Sequence, residues 1–171
     1  MPRAIPDFRK YAYSAKRIED TGRYIGRVTY PKLYVIENLV RILIHSVLSS
    51  QIGTNWWSIA VSPRIRSKAQ AFRLQYTQNP WHTTPGGHDI YLIFLSDLTE
   101  IIRANSAQFL PVVSDVDNWI ARLEQIRIPR NLVGHMNFLD RTDRNRIDVF
   151  YADFLALLGE VTLRGVTIQI P

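Results

Sequence analysis

The chain has 171 residues, enough for one domain that buries about two-thirds of its unfolded surface without covalent staples. Hydrophobic residues make up 46% and charged residues 21%, ordinary globular proportions, and the absence of cysteine excludes disulfides and thiolate metal sites. Net charge is +6 and lysine occurs only at Lys10, Lys16, Lys32 and Lys68, so the positive charge is almost all arginine. Guanidinium grips phosphate in bidentate fashion and stacks on bases, which favours nucleic acid as a partner, although a genome rich in arginine codons gives the same balance.

Residues 1–30 are predicted to form a basic arm, interrupted by Pro2, Pro6, Gly22 and Gly26, with a short helix around Phe8 to Ile18 and no strong core stripe. There is no secretory signal pattern, and apolar runs such as Tyr91 to Leu95 are too short to cross a bilayer, so a cytoplasmic protein away from membranes is expected. Pro31 opens the clearest helix, Lys32 to about Ser50. Its apolar face is Leu33, Ile36, Val40, Leu43, Ile44, Val47 and Leu48, and Gly53 ends it.

Asn55-Trp56-Trp57 begins the next element. Ser62-Pro63 is a helix start, and that helix carries Arg64, Arg66, Lys68 and Arg73 to about Gln78. These four cations and Arg41 are the candidates for RNA contact. A Pro/Gly/Thr-rich loop covers residues 79–89. Ser96 with Asp97 starts a helix to about Asn105. Ser114 with Asp115 and Asp117 starts another, with Val116, Trp119, Ile120, Leu123 and Ile126 as its buried stripe. Pro129 is expected to interrupt this pattern, with a new turn at Arg130. Thr142 with Asp143 caps the final helix, whose face is Ile147, Phe150, Phe154, Leu157 and Leu158. Val161 to Ile170 alternates and reads as a short strand or extended tail. The expected architecture is therefore an all-α bundle of about five helices at 31–160. The basic arm at 1–30 precedes it and the tail at 161–171 follows.

Histidine occurs only four times, at His45, His82, His88 and His135. His45, His82 and His88 have ordinary solvated or loop readings, whereas His135 follows Arg130-Asn131-Leu132-Val133-Gly134. A bare Arg-x4-His arises by chance about 0.4 times in such a chain, and requiring Asn after the Arg lowers this to about 0.02. Asn131 and His135 are one turn apart, so the amide is placed to orient the ring. Histidine moves protons near neutral pH and arginine neutralises charge growing on a phosphoryl group. Together they suffice for attack of an RNA 2′-hydroxyl on the adjacent phosphate, a reaction closed to DNA. Arg130 and His135, however, lie about 140° apart on a regular helix. Either the backbone bends after Pro129 or a second subunit completes the site. Glu37 falls inside the apolar stripe of the first helix, where a carboxylate needs a partner. Arg41, one turn on, and Arg130, from another helix, are the two choices.

Several of these segments together resemble the HEPN superfamily of α-helical domains, many of them RNA-cleaving. They are Tyr34-x-x-Glu37-Asn38-x-x-Arg41, Asn55-Trp56-Trp57, Ser96 to Ile102 and Arg130 to His135, and the likeness covers about residues 32–160. The resemblance is to the subgroup that accompanies PIN-type RNA endonucleases in fungi and defence genes in prokaryotes, with Leu132 and Gly134 departing from its usual motif. It implies a homodimer with the motif helices at the interface and a metal-independent endoribonuclease without cofactors. Arg130 would stabilise the scissile phosphate, Asn131 position it, His135 act as general acid or base, and Glu37 support Arg130. It also implies a toxin or abortive-infection role, with an inhibitory antitoxin or other defence-system partner. The competing reading is a non-catalytic HEPN module that binds nucleotides or RNA, or serves assembly; an accidental motif in a helical interaction domain is the third.

Overall fold

The computed structural model describes residues 7–171, and all regular structure among them is helical. A 3-10 turn at Phe8–Lys10 precedes α1 (Ala15–Tyr24), a π-helical turn at Ile25–Thr29 and α2 (Tyr30–Ile52). Then follow α3 (Trp56–Ala60), α4 (Pro63–Thr77), a 3-10 turn at Asp89–Leu92, α5 (Leu95–Ala104), α6 (Ser106–Phe109), α7 (Val116–Gly134) and α8 (Arg141–Leu163). The five expected helices are α2, α4, α5, α7 and α8. The core cluster lies around α2, which packs most extensively on α8 and also meets α5, α3 and α6, while α7 closes against α5 and α8.

From residue 7 onward the chain departs from the expected arm; Pro2 and Pro6 lie outside the described residues. Helix runs without a break from Ala15 to Ile52, so the anticipated boundary at residue 30 falls inside it. Gly22 and Gly26 lower helix propensity without stopping it. Pro31 lacks an N–H and its ring crowds the carbonyl one turn back; the π turn lies directly before it, and the Tyr30 N–H donates to the Ile25 carbonyl across the wider ring. By length and mean hydropathy (1.3 over its most apolar window) this 38-residue helix is long and apolar enough to cross a membrane, unlike the short apolar runs. Half of that window is buried, and Ile36, Val40, Ile44, Val47 and Leu48 have no exposed surface. They fill the protein's own core.

Gly53 ends α2 with φ 104°, the left-handed conformation that glycine adopts freely. Ser62 caps α4 by accepting from the Ile65 N–H. Other termini shift by a few residues: α5 begins at Leu95, with Asp97 accepting from the Phe94 N–H at 3.0 Å, and Asp140 caps α8 by accepting from the Asp143 N–H at 2.8 Å. The expected break at Pro129 is replaced by continuous helix. Ile126, Pro129 and Val133 are all buried and share the face begun by Val116, Ile120 and Leu123, so the proline ring is part of the core stripe. That burial offsets part of the cost of the lost main-chain hydrogen bond. At the C-terminus Val161 to Leu163 are helical, Arg164 and Gly165 form a turn, and the tail without strand pairing covers only residues 166–171. The tail is pinned to α2 by Ser46, whose Oγ accepts from the Gln169 N–H at 2.9 Å and donates to its carbonyl.

Candidate functional site

Three helical positions and one turn converge on a buried ion cluster. Glu37 and Arg41 stand one turn apart on α2, and the Arg41 Nη2 donates to Glu37 Oε1 at 2.6 Å. From α7, Arg130 Nε donates to Glu37 Oε2 at 2.8 Å and Nη2 to Oε1 at 3.3 Å, a side-on, two-point pairing. Both partners named for Glu37 are therefore used. Its side chain is 13% exposed, that of Arg41 9% and that of Arg130 29%. Burial raises the Glu37 pKa, but the Arg130 hydrogen bond and the charges of Arg41 and Arg130 outweigh it and hold the carboxyl below its ordinary value. One carboxylate against two guanidiniums leaves a net positive charge.

Arg41 is held elsewhere as well. Its Nε donates to the Ile90 carbonyl and its Nη2 to the Ile93 carbonyl, each at 3.2 Å. With that geometry it anchors Glu37 from below rather than offering a free cation to a nucleic acid.

The charge opens onto a cleft of about 1080 Å³ between the long N-terminal helix and the end of α7. Ile18, Ile25, Tyr30, Tyr34 and Tyr91 form apolar and aromatic walls, and Glu37, Arg41 and Arg130 lie among its polar lining. Pro85 and Gly86 bring the 79–88 loop to its rim. Gly86 lies so close to Tyr91 that a Cβ there would fall 2.5 Å from the ring. The expected arm is thus one wall of the site. Its signal was present in the sequence as Ile18, Gly22 and Ile25, a spacing that marks one helical face.

His135 is placed differently. It is the residue after α7, exposed, with its N–H donating to the Asn131 carbonyl at 2.9 Å and its own carbonyl accepting from Asn137 Nδ2 at 3.0 Å. It does not line the cleft, and its ring has no hydrogen-bond partner among the described residues. The Asn131 amide, expected to orient that ring, instead accepts from Arg130 Nη1 at 3.5 Å. Because α7 stays helical through Pro129, the separation of Arg130 from His135 is that of an ordinary helix end.

The cations of α4 are largely engaged within the chain. Arg64 pairs with Glu100, and Lys68 Nζ lies 2.6 Å from Asp97 Oδ2 and 4.1 Å from the centre of the Phe94 ring. Arg73 binds Asp89 at 2.6 Å and the carbonyls of Gly86 and Gly87. Arg66 makes no ion pair among the described residues, and its Nε is buried without a hydrogen-bond partner. Arg64, Lys68 and Arg73 tie α4 to α5, the 79–88 loop and the turn that follows it. The Trp56 and Trp57 rings gather with His45 and His88 into an aromatic cluster that the sequence reading passed over.

Fold and site together define an all-helical domain with a carboxylate-braced arginine at the floor of an aromatic cleft. No protein-family model, curated protein or solved structure matches the chain.

Proposed function

We propose that the chain is a metal-independent endoribonuclease that works as a homodimer. The observation that carries this reading is the Glu37–Arg130 pair. The carboxylate holds a guanidinium side-on at the cleft floor, leaving Nη1 free of Glu37 and the cluster net positive, which suits a phosphate. In the reaction, the RNA 2′-oxygen bonds to phosphorus as its proton leaves, and the bond from phosphorus to O5′ breaks as O5′ takes up a proton. The products are a cyclic phosphate and a 5′-hydroxyl. His135 moves the proton, and Arg130 neutralises the phosphoryl oxygens. An exposed His135 outside the cleft of its own chain calls for a second copy, with the two motif helices facing each other so that rings and guanidiniums meet across one substrate. With this activity goes the expectation of a defence role under an inhibitory partner.

The test is incubation of wild type, His135→Ala and Arg130→Ala with mixed tRNA and structured RNA, with and without EDTA. Wild type should cut regardless of EDTA and leave cyclic-phosphate ends, and His135→Ala should lose about 10²-fold or more of the rate. Cleavage that survives His135→Ala refutes the assignment.

One observation favours a second reading, a nucleotide- or RNA-binding module without catalysis. The large aromatic cleft adjoins Arg130, but the His135 ring is not part of it. Under that reading no variant cuts, binding survives His135→Ala, and Arg130→Ala abolishes it.

A further inference from the structure

His88 is joined to Arg130 by an unbroken series of polar contacts. Its Nδ1 accepts from the Ile90 N–H at 3.1 Å and so caps the Asp89–Leu92 turn. The Ile90 carbonyl accepts from Arg41, as does that of Ile93 just beyond the turn; Arg41 holds Glu37, and Glu37 holds Arg130. Arg41 is almost fully buried, so the two carbonyls have no ready replacement by water.

The surroundings of His88 oppose a positive charge. The His45 ring from α2 lies 5.3 Å away, and its Nδ1 in turn accepts from Trp56 Nε1 at 3.2 Å. Trp56 stacks on His88 at 5.2 Å and Trp57 meets it edge-on at 5.3 Å, both from α3. The charged groups nearby are Asp89 on its own segment and Arg73 from α4, which are paired with each other. Both imidazoles use Nδ1 as an acceptor, which requires the neutral ring with its proton on Nε2. Burial lowers the pKa of each, and the His45 charge lowers that of His88 further.

We propose that His88 is a positioning residue that couples the Arg130 site to pH: only the neutral ring caps the turn whose carbonyls hold Arg41 and, through Glu37, Arg130. A proton on Nδ1 turns the acceptor into a donor facing the Ile90 N–H. The turn then loses its cap, and Arg41 loses the carbonyls that fix it. The proposal rests on Arg130 being the working group of the site, but its readout does not require cleavage.

The experiment is a proton–nitrogen NMR titration of the full chain between about pH 5 and 7.5, the range in which imidazole changes charge. It follows the His88 ring, the Ile90 amide and the Arg130 Nε–H. In wild type all three should move with one midpoint. In His88→Asn, whose side-chain oxygen can still accept from the Ile90 N–H, the Ile90 and Arg130 signals should stay flat over the same range. A His88 ring that titrates while Arg130 Nε–H stays still overturns the proposal, as does an Arg130 signal that titrates equally in His88→Asn. The wild-type titration decides the matter even if the variant fails to fold. Where the chain cuts RNA, the ratio of wild-type to His88→Asn rate should fall on acidification, any contribution of His135 cancelling in the ratio. Absence of cleavage in every sample rejects the nuclease reading and leaves the NMR result to stand.

Discussion

Glu37 is the residue on which the site turns. It satisfies two guanidiniums, one of which is buried, so removing its charge leaves Arg41 with only main-chain carbonyls. Glu37→Gln is expected to destabilise the fold by on the order of 2 kcal/mol in urea unfolding, since a nearly isosteric amide keeps the packing but not the charge pairing. Retained stability with lost phosphate or RNA binding would confine Glu37 to the site alone. Gly134 behaves oppositely. Its nearest neighbour to an added Cβ is Arg130 Nη1 at 3.7 Å, ordinary contact distance. Gly134→Ala should therefore stabilise the fold by up to about 1 kcal/mol through helix propensity, seen as a higher melting temperature. At this scale the sequence showed that Glu37 needed a cation, because a carboxylate interrupts an apolar stripe. It did not show that Arg41 is committed to the same carboxylate and to two carbonyls of a turn far along the chain.

At the scale of elements, α2 and the buried face of α8 were legible from their apolar periodicity, and α4 from its Ser62-Pro63 start signal. Pro129 misled because proline normally ends a helix, whereas here its ring occupies a core position on α7. Pro129→Ala should restore a main-chain hydrogen bond while forfeiting part of the ring burial, a net gain on the order of 1 kcal/mol in thermal unfolding. A loss instead would mean that the ring's packing outweighs the missing bond. The rim loop gives the reverse case. A Cβ at residue 86 would overlap the Tyr91 ring, so Gly86→Ala must displace either the loop or the ring. The expected cost is about 1–3 kcal/mol in thermal unfolding, and the NMR signals of the Tyr91 ring should shift from their wild-type positions. The N-terminal helix was expected only as a short one around Phe8 to Ile18, and its extent was missed because its polar residues and two glycines mask a short stripe that becomes apolar wall only when α7 stands opposite.

For the molecule as a whole, acid should act in two steps. His45 and His88 bind protons less readily in the fold than in the unfolded chain, whose value is 6.5. The unfolded state therefore takes up more protons as the pH falls below 6.5, and stability declines from there to the depressed folded values. Glu37 is held ionised below its ordinary 4.5, so its contribution persists above 4.5 and is lost as the pH drops further. Melting temperature against pH should show both declines, and His88→Asn should shrink only the first. By itself the sequence determined the helical class, the core face of α2 and the residues Glu37, Arg130 and His135 as chemically notable, because periodicity and the isolation of a charge are local properties. The tertiary structure alone decided that Arg130 and Arg41 share one carboxylate, that His135 stands outside the cleft, and that a tryptophan-packed histidine caps the turn beneath it. Those relations join positions tens of residues apart, and only the tertiary arrangement that brings the end of α7 and the 89–93 segment within reach of Glu37 and Arg41 on α2 sets their distances.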